Sequence, residues 1–159
     1  MDEAEALLVG RAVLPYGLRW HEDYPMAETL DALAMTVGAH RATGWAGATA
    51  PRWWMHQIVV GDLVVGDVGF HGPPAPRERV EVEIGYHVVP ALRRQGIATR
   101  ACQLVVAQAW ADGAMVVRAE VAADNPDGAA SRRVLLRAGF GQHGPGRFAL
   151  DRPPRSVGR

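Results

Sequence analysis

The chain has 159 residues, with 17 basic and 17 acidic side chains and therefore no formal net charge. That length predicts one domain over residues 1–159, with 152–159 as a frayed tail. The neutral charge argues against nonspecific binding to nucleic acid or to anionic membranes. The single cysteine, Cys102, excludes an internal disulfide and a multi-cysteine metal site. We also expect a protein without a bound metal.

All the basic side chains are arginines, so covalent catalysis through a lysine Schiff base is excluded. The chain starts with acidic residues where a secretory signal would be basic, and no apolar run approaches the ~20 residues of a membrane span. These features predict a cytoplasmic protein.

In the first half of the chain, residues 1–25 have only weak periodicity. Apolar residues at helical spacing predict a helix over 26–40. Two apolar runs, 53–60 and 63–70, flank Gly61-Asp62, which predicts a hairpin with a type II′ turn. A proline-rich connection follows over 72–79.

In the second half, residues 80–89 alternate as a strand. One face carries Val80, Val82, Ile84, Tyr86 and Val88, and the other carries Glu81, Glu83, Gly85, His87 and Val89. The pattern then predicts a helix over 96–112, a strand over 114–122, a helix over 129–138 capped by Gly139, and a strand pair over 140–151. This order predicts an α+β sheet with a strand–helix–strand crossover at its centre.

The segment between the strand and the long helix carries the clearest chemical pattern. After Pro90, the run Arg93-Arg94-Gln95-Gly96-Ile97-Ala98 opens the helix. Unsatisfied backbone N–H groups at a helix start attract anions, a glycine lets a ligand approach the backbone, and arginines add positive charge. The run therefore predicts a diphosphate cradle. It lacks the Gly-Lys-Ser/Thr of a P-loop and the glycine spacing of a dinucleotide fingerprint.

Together with Glu83-Ile84-Gly85-Tyr86, Pro90, Ser131 and Gly139-Phe140, the Arg93-x-x-Gly96-x-Ala98 run resembles a GNAT-superfamily N-acetyltransferase, nearest to the RimJ/RimL type. The similarity covers about residues 53–148. It implies the GNAT fold: a mixed, mostly antiparallel central sheet flanked by helices, with a splayed central strand pair. It also implies acetyl-CoA as cosubstrate, with its pantetheine arm lying between the splayed strands.

The resemblance assigns cofactor-binding residues by position. Val88 and Val89 would pair with the pantetheine arm through their backbone. Arg93 and Thr99 would flank the diphosphate, which would be held by Arg94, Gln95, Gly96, Ile97 and Ala98.

Acetyl transfer to an amine requires a group that removes a proton from the nitrogen. Glu83 and Glu81 share one face of the predicted strand, and partial desolvation would raise the pKa of a carboxyl there. We take Glu83 as the first candidate base and Glu81 as the second. The alternatives are that these are solvent-facing strand charges and that water acts instead. For His71 and for His87 two roles stay open: each could relay a proton, or be a surface or structural histidine.

The leaving thiolate also needs a proton, which many family members supply from a tyrosine on the short helix. This helix has no tyrosine, and Tyr16, Tyr24 and Tyr86 all lie elsewhere in the sequence. Ser131, which matches a family serine near the CoA sulfur, is the substitute donor; water and an ordinary helix-start serine are the alternatives. Asn125 lies six residues before Ser131 instead of the usual three, so it either reaches CoA or only forms a turn.

The N-terminal part and the start of the hairpin would border the acceptor site in this fold. They are rich in aromatic and acidic residues, which suit a hydrophobic amine or a peptide N-terminus and equally suit packing: Trp20, His21, Glu22, Asp23, Tyr24, Trp45, Trp53 and Trp54. Because this part is short, the pocket is either open or completed by a second subunit in a homodimer.

The leading hypothesis is an acetyl-CoA-dependent N-acetyltransferase acting on a primary amine, either a protein N-terminus or a small molecule, by direct attack in a ternary complex. One alternative is a non-catalytic acyl-CoA sensor or structural module, and another is transfer of longer acyl groups. Cys102 is expected to pack as a small hydrophobic residue without a catalytic role.

Overall fold

A computed structural model describes residues 17–46, 51–75 and 78–154. This part of the chain contains seven strands, three α-helices and one 3₁₀ turn. In chain order they are β1 (Arg19–Trp20), α1 (Ala27–Arg41), β2 (Met55–Val60), β3 (Leu63–Phe70), β4 (Glu81–Val88), the 3₁₀ turn (Pro90–Leu92), α2 (Ile97–Ala111), β5 (Val116–Glu120), α3 (Gly128–Ala138), β6 (Gly141–Gly144) and β7 (Arg147–Asp151).

The strands form one mixed sheet with the order β1-β3-β4-β5-β7-β6, and β2 pairs with β3. The neighbours are antiparallel except for two parallel pairs, β1 with β3 and β4 with β5. The parallel β4–β5 pair is joined through α2, as expected for a strand–helix–strand crossover. The predicted α+β class is therefore confirmed.

The two central strands separate partway along their length. β4 and β5 pair only from Glu81↔Val116 to Glu83↔Arg118. Beyond that point β4 remains paired with β3, and β5 remains paired with β7. A gap therefore opens beside residues 84–88 of β4, which confirms the predicted splayed pair.

The observed helices and strands follow the predicted order, with small shifts at their ends. Trp53 was expected to begin a strand, but its φ of +61° is incompatible with extended backbone, and β2 starts at Met55. Gly96 and Gly139 adopt left-handed conformations with φ of +81° and +103°, and they bound α2 at its start and α3 at its end. The sequence pattern did not predict β1, because two residues are too few to show a period.

Helices cover both faces of the sheet. α2 and α3 pack against each other on one face, where Cys102, Val105 and Leu135 are buried with Val82 and Ile84 of β4. α1 covers β3 and β4 on the other face. No helix in residues 17–46, 51–75 or 78–154 is long and apolar enough to cross a membrane.

The aromatic residues near α1 form separate groups. Trp20 and Tyr24 make an edge-to-face contact with ring centroids 5.9 Å apart. Trp45 and Trp54 lie 4.9 Å apart near the end of α1. Trp53 is buried against Phe70. Trp53 and Tyr24 are therefore packing residues, and the eight residues named above do not form a single wall.

Candidate functional site

The turn after β4 is tied to the start of α3 by one arginine. The Nε of Arg93 donates to the carbonyl oxygen of Val88 at 2.9 Å, and its Nη1 donates to Asp127 Oδ2 at 2.8 Å. The N–H of Val89 donates to the carbonyl of Val65 at 2.9 Å. The carbonyl of Val88 and the N–H of Val89, two backbone groups expected to pair with pantetheine, thus have hydrogen-bond partners within the protein. Arg93 connects the end of β4 to the start of α3.

The start of α2 has the features of an anion site. Arg94 and Gly96 both have left-handed backbone, with φ of +64° and +81°, and no side chain caps the helix. The first helical hydrogen bond runs from Arg100 N to Gly96 O, which leaves the preceding N–H groups without intrahelical acceptors. A Cβ added at Gly96 would meet nothing within 4 Å, so a ligand has room to approach the backbone.

Arg94 and Gln95 are exposed at this turn, and Arg94 has no hydrogen bond or ion pair with any residue in the described ranges. The apolar sides of Ile97 and Ala98 pack on the core, whereas Thr99 is half-buried in the first turn of the helix. The predicted cradle therefore offers backbone N–H groups and one unpaired guanidinium. These groups fit a diphosphate.

The two candidate base residues lie on the α1 face of β4, and each has a partner. Glu81 accepts a hydrogen bond from Arg118 Nε at 2.9 Å. Glu83 Oε1 lies 3.3 Å from Nδ1 of His71. The hydrogen bond from His71 lowers the pKa of Glu83 despite partial burial, and the charge of Arg118 acts in the same direction. The expectation of a raised pKa at Glu83 was therefore wrong, because its neighbours outweigh desolvation.

Gly85 makes room for the imidazole of His71. A Cβ at Gly85 would lie 2.6 Å from Nε2 of His71, so the ring lies across the glycine on the same face as Glu83. This close approach explains why β4 carries a glycine between Glu83 and His87.

A second polar cluster on this face was not found from the sequence. Asp67 of β3 is 1% exposed. Its Oδ1 lies 2.8 Å from Nδ1 of His87, and its Oδ2 accepts from the hydroxyl of Thr29 in α1 at 2.5 Å. Burial, and then the charge of Asp67, raises the pKa of Tyr24. A lone carboxylate in the otherwise apolar run of residues 63–70 is the sequence feature that could have revealed the cluster.

The opposite face of β4 brings a tyrosine to the start of α3. The hydroxyl of Tyr86 donates to the carbonyl oxygen of Ser131 at 3.1 Å. Burial, and then the neighbouring Cys102, raises the pKa of Tyr86, so the hydroxyl keeps its proton at neutral pH. The short helix has no tyrosine of its own, as the sequence showed, but the fold brings Tyr86 to its start from β4.

Cys102 is fully buried in α2, and burial raises the pKa of its thiol to about 12. It is a packing residue, as expected. Asn125 forms a turn in which its Oδ1 accepts from the N–H of Asp127 at 2.8 Å. The side-chain oxygen of Asn125 is thereby occupied, which favours the turn alternative.

A groove of about 410 Å³ runs between β2 and α2, away from Glu83 and His87. Exposed apolar side chains of both elements line it, Val59, Val60 and Leu104 among them. Within the described ranges, no group of three or more His, Cys, Asp or Glu residues could hold a metal ion.

Known proteins share this fold. The ribosomal-protein-S5-alanine acetyltransferase from Vibrio fischeri matches with a TM-score of 0.58 and 14% identity, covering 95% of this chain and 90% of that chain. The GNAT domain of S. lividans PAT matches with a TM-score of 0.54 and 20% identity, covering 95% and 78%. An aminoglycoside acetyltransferase, AAC(6')-Ib, solved with coenzyme A and kanamycin, matches with a TM-score of 0.51 and 11% identity, covering 62% and 66%.

No curated protein matches the chain in sequence. The family model described as "Acetyltransferase (GNAT) domain" matches residues 2–141. That match covers most of the chain and agrees with the splayed β4–β5 pair. The chain therefore belongs to the GNAT acetyltransferase family.

Proposed function

We propose that the protein is an acetyl-CoA-dependent N-acetyltransferase that acetylates a primary amine by direct attack in a ternary complex. The observation that carries the proposal is the gap between β4 and β5, which opens after Glu83↔Arg118 beside the uncapped start of α2. A chain-like ligand with a diphosphate group matches that combination, because the turn offers anion-binding N–H groups and the gap offers unpaired strand edge.

The cosubstrate would be held by the turn and by the first part of α2. The backbone from Gln95 to Thr99 and the guanidinium of Arg94 would bind the diphosphate, while Arg93 keeps the turn attached to Asp127. Four further residues border the same region and remain proposed contacts of the cosubstrate: Val88, Val89, Asn125 and Ser131. When bound, acetyl-CoA supplies an activated thioester.

The two faces of β4 would divide the proton transfers. Glu83, ionised at neutral pH because of its lowered pKa, faces the side covered by α1 and would attract or deprotonate a cationic amine; Glu81, held by Arg118, is the second carboxylate there. Ser131 and the neighbouring Tyr86 would protonate the thiolate from the other face.

The acceptor is proposed to be a primary amine at a protein N-terminus or on a small molecule. Support comes from relatives of the same fold, one named for the alanine of a ribosomal protein and another solved with an aminoglycoside. The RimJ/RimL-like branch, a single domain over 1–159, a cytoplasmic location and a homodimer belong to the same proposal.

Release of free thiol from acetyl-CoA tests the function. The purified protein would be incubated with acetyl-CoA and a panel containing a peptide with an alanine N-terminus, a polyamine and an aminoglycoside, with a no-amine blank. Amine-dependent thiol release and an acetylated product in mass spectra are expected. Saturable binding of acetyl-CoA without release for any amine would favour the non-catalytic sensor.

A further inference from the structure

We propose that His87 accepts the proton of the attacking amine and that Asp67, held by Thr29, is the positioning residue that orients it. This inference rests on the proposed acetyltransferase function and adds a base that the candidates Glu83, Glu81 and Ser131 do not include. It is carried by the geometry of three side chains from β4, β3 and α1.

Asp67 is in an unusual place for a carboxylate. It is 1% exposed, on a strand whose other residues are apolar or glycine. Burial of a carboxylate is costly unless its oxygens are hydrogen-bonded, and here Thr29 and His87 occupy one oxygen each. Within the described ranges, Asp67 has no arginine partner. The basic side chain that its carboxylate contacts is His87.

The carboxylate fixes which nitrogen of His87 carries the proton. An ionised carboxylate can only accept hydrogen bonds, so Nδ1 of His87 donates to Asp67 Oδ1 across 2.8 Å. In the neutral ring, Nε2 then keeps its lone pair. Nε2 has no hydrogen-bond partner among the described residues, and the side chain is 29% exposed. His87 is therefore a proton acceptor that is both oriented and reachable.

The position of His87 along β4 places it beside the gap. It lies in the segment 84–88, after β5 has separated and immediately before Val88, whose carbonyl Arg93 holds. A ligand that occupies the gap lies alongside this segment. Tyr86, the preceding residue, points to the opposite face, so the base and the acid of one reaction would be consecutive residues.

Glu83 is less suited to accept this proton. The hydrogen bond from His71 lowers its pKa, and a carboxylate with a low pKa is a weak base. A neutral imidazole with a free ring nitrogen is a stronger base than such a carboxylate, and imidazole is the side chain that most often serves as a general base. Glu83 instead suits attraction of the ammonium form of the amine to this face.

The proposed acetyl transfer needs no reagent besides the amine and acetyl-CoA. The lone pair of the amine forms the C–N bond, the C–S bond breaks, and its electron pair stays on sulfur. The proton lost by nitrogen passes to Nε2 of His87 and then to solvent. The thiolate takes a proton from Tyr86, Ser131 or solvent, which gives the acetylated amine and free CoA.

Among the residues that the structure describes, few charged or titratable groups surround His87. Asp67 faces it from β3, with Tyr24 beyond that carboxylate. Glu83 and His71 share the α1 face across Gly85. α1 contributes the uncharged Thr29. Replacing Asp67 by asparagine therefore removes the negative charge nearest to the ring.

Kinetics of three variants form the first test. His87→Gln should lower kcat on the order of 100-fold and remove the acid limb of the pH–rate profile, while the Kd for acetyl-CoA stays within about twofold. Asp67→Asn should lower kcat about tenfold and move that limb to lower pH, because the imidazolium loses its anionic neighbour. The matched control is His143→Gln, on exposed β6, which should behave as wild type. An unchanged pH profile in His87→Gln, with wild-type turnover intact, would overturn the inference and leave the proposed function standing.

A second measurement is independent of the acceptor. In protein with ¹⁵N-labelled histidine, two-bond ¹H–¹⁵N correlations report the tautomer of each neutral imidazole. The signals of His87 are identified by their loss in His87→Gln. The Nδ1–H tautomer is expected in the wild type and should be depleted in Asp67→Asn. A dominant Nε2–H tautomer in the wild type would overturn the inference even if no amine of the panel were acetylated.

Discussion

The two faces of β4 are built from different chemistry, although their residues alternate along one strand. The α2–α3 face carries Val82, Ile84 and Val88, which are buried, and a single hydroxyl, that of Tyr86. The α1 face carries Glu81 and Glu83, then Gly85 and His87, and their partners come from β3, from His71 directly after it and from β5.

In the proposed reaction, this difference would let one strand separate two opposed proton transfers. A group that keeps its proton lies on the apolar face, where burial raises the pKa of Tyr86. Groups that accept protons or carry negative charge lie on the other face, where hydrogen bonds from histidines stabilise the carboxylates. The gap between β4 and β5 lies between the two faces, so a bound thioester would be reachable from both.

The largest effect is expected at the proposed anion site at the start of α2, which would hold the cosubstrate for the groups on both faces of β4. Gly96→Glu should weaken acetyl-CoA binding by on the order of 100-fold, about 2.7 kcal/mol, because a carboxylate would project where the diphosphate approaches. Calorimetric titration measures the change in Kd.

Gly113→Glu is the matched control for that variant. Gly113 also has a positive φ, +97°, and a Cβ there would also meet nothing within 4 Å. It follows the other end of α2, so it carries the same backbone strain and charge away from the proposed site. Equal losses of affinity in both variants would contradict the assignment.

The hydroxyl on the α2–α3 face is expected to have the next largest effect. Tyr86→Phe should lower kcat about tenfold without changing the Kd for acetyl-CoA, because the thiolate loses a nearby donor. Removing its hydrogen bond to Ser131 should also reduce the free energy of unfolding by about 1 kcal/mol. Steady-state kinetics and urea unfolding measure the two effects.

Ser131→Ala separates the two candidate donors, since it removes the serine hydroxyl and leaves the backbone carbonyl that Tyr86 contacts. If Ser131→Ala lowers kcat and Tyr86→Phe does not, the serine is the donor and the proposed division between consecutive residues of β4 is wrong.

On the α1 face, Glu83→Gln tests whether the carboxylate attracts or deprotonates the amine. With His87 as base, KM for a cationic amine should rise several-fold while kcat and its pH profile change little. A large loss of kcat with a changed profile would instead identify Glu83 as the base.

The same substitution has a pH-dependent effect on stability. A carboxyl whose pKa is lower in the folded state stabilises the fold above its unfolded-state pKa, and this contribution disappears as pH falls through the folded value. The wild type should therefore be slightly more stable than Glu83→Gln near neutral pH, and the difference should shrink as the pH falls through the lowered pKa of Glu83 in the folded state. Because Glu83 is partly exposed, the difference should be about 0.5 kcal/mol or less by urea unfolding.

The smallest effect concerns the glycine that makes room for His71. In Gly85→Ala the new methyl group must push the imidazole away from its present place, 2.6 Å from the added Cβ. Glu83 would lose its hydrogen bond from His71, and its pKa should rise towards the ordinary value. NMR titration of the Glu83 carboxyl measures the shift. A pKa unchanged in Gly85→Ala would show that Arg118, and not His71, holds the carboxylate ionised.

Local patterns in the sequence were enough to predict the order of elements, and they also led to the proposed anion site, which stays a prediction. The alternation over 80–89, the glycine at 96 and the capping glycine at 139 each act within a few residues, so their effects can be read along the chain. The pairing of Arg93 with Asp127 was not predictable in this way, because it joins residues 34 apart.

The polar clusters depend on contacts between distant segments. Asp67 meets His87 and Thr29 only after β3, β4 and α1 have packed together, and Tyr86 reaches Ser131 across 45 residues. The lowered pKa of Glu83 likewise arises from His71, on the far side of the connection between β3 and β4. The alternation of residues along the strand predicts which face of the sheet each side chain lies on, but it does not predict which side chains from other segments contact it.

A titration of ¹⁵N-labelled protein with acetyl-CoA, followed through backbone amide signals, would locate the acetyl-CoA site directly. Saturable shifts are expected at residues 84–89 of β4 and its following turn, at residues 93–99 around the start of α2, and at Ser131. Shifts confined to the groove between β2 and α2, around Val59 and Leu104, or no saturable shifts at all, would contradict the assignment of the β4–β5 gap as the acetyl-CoA site.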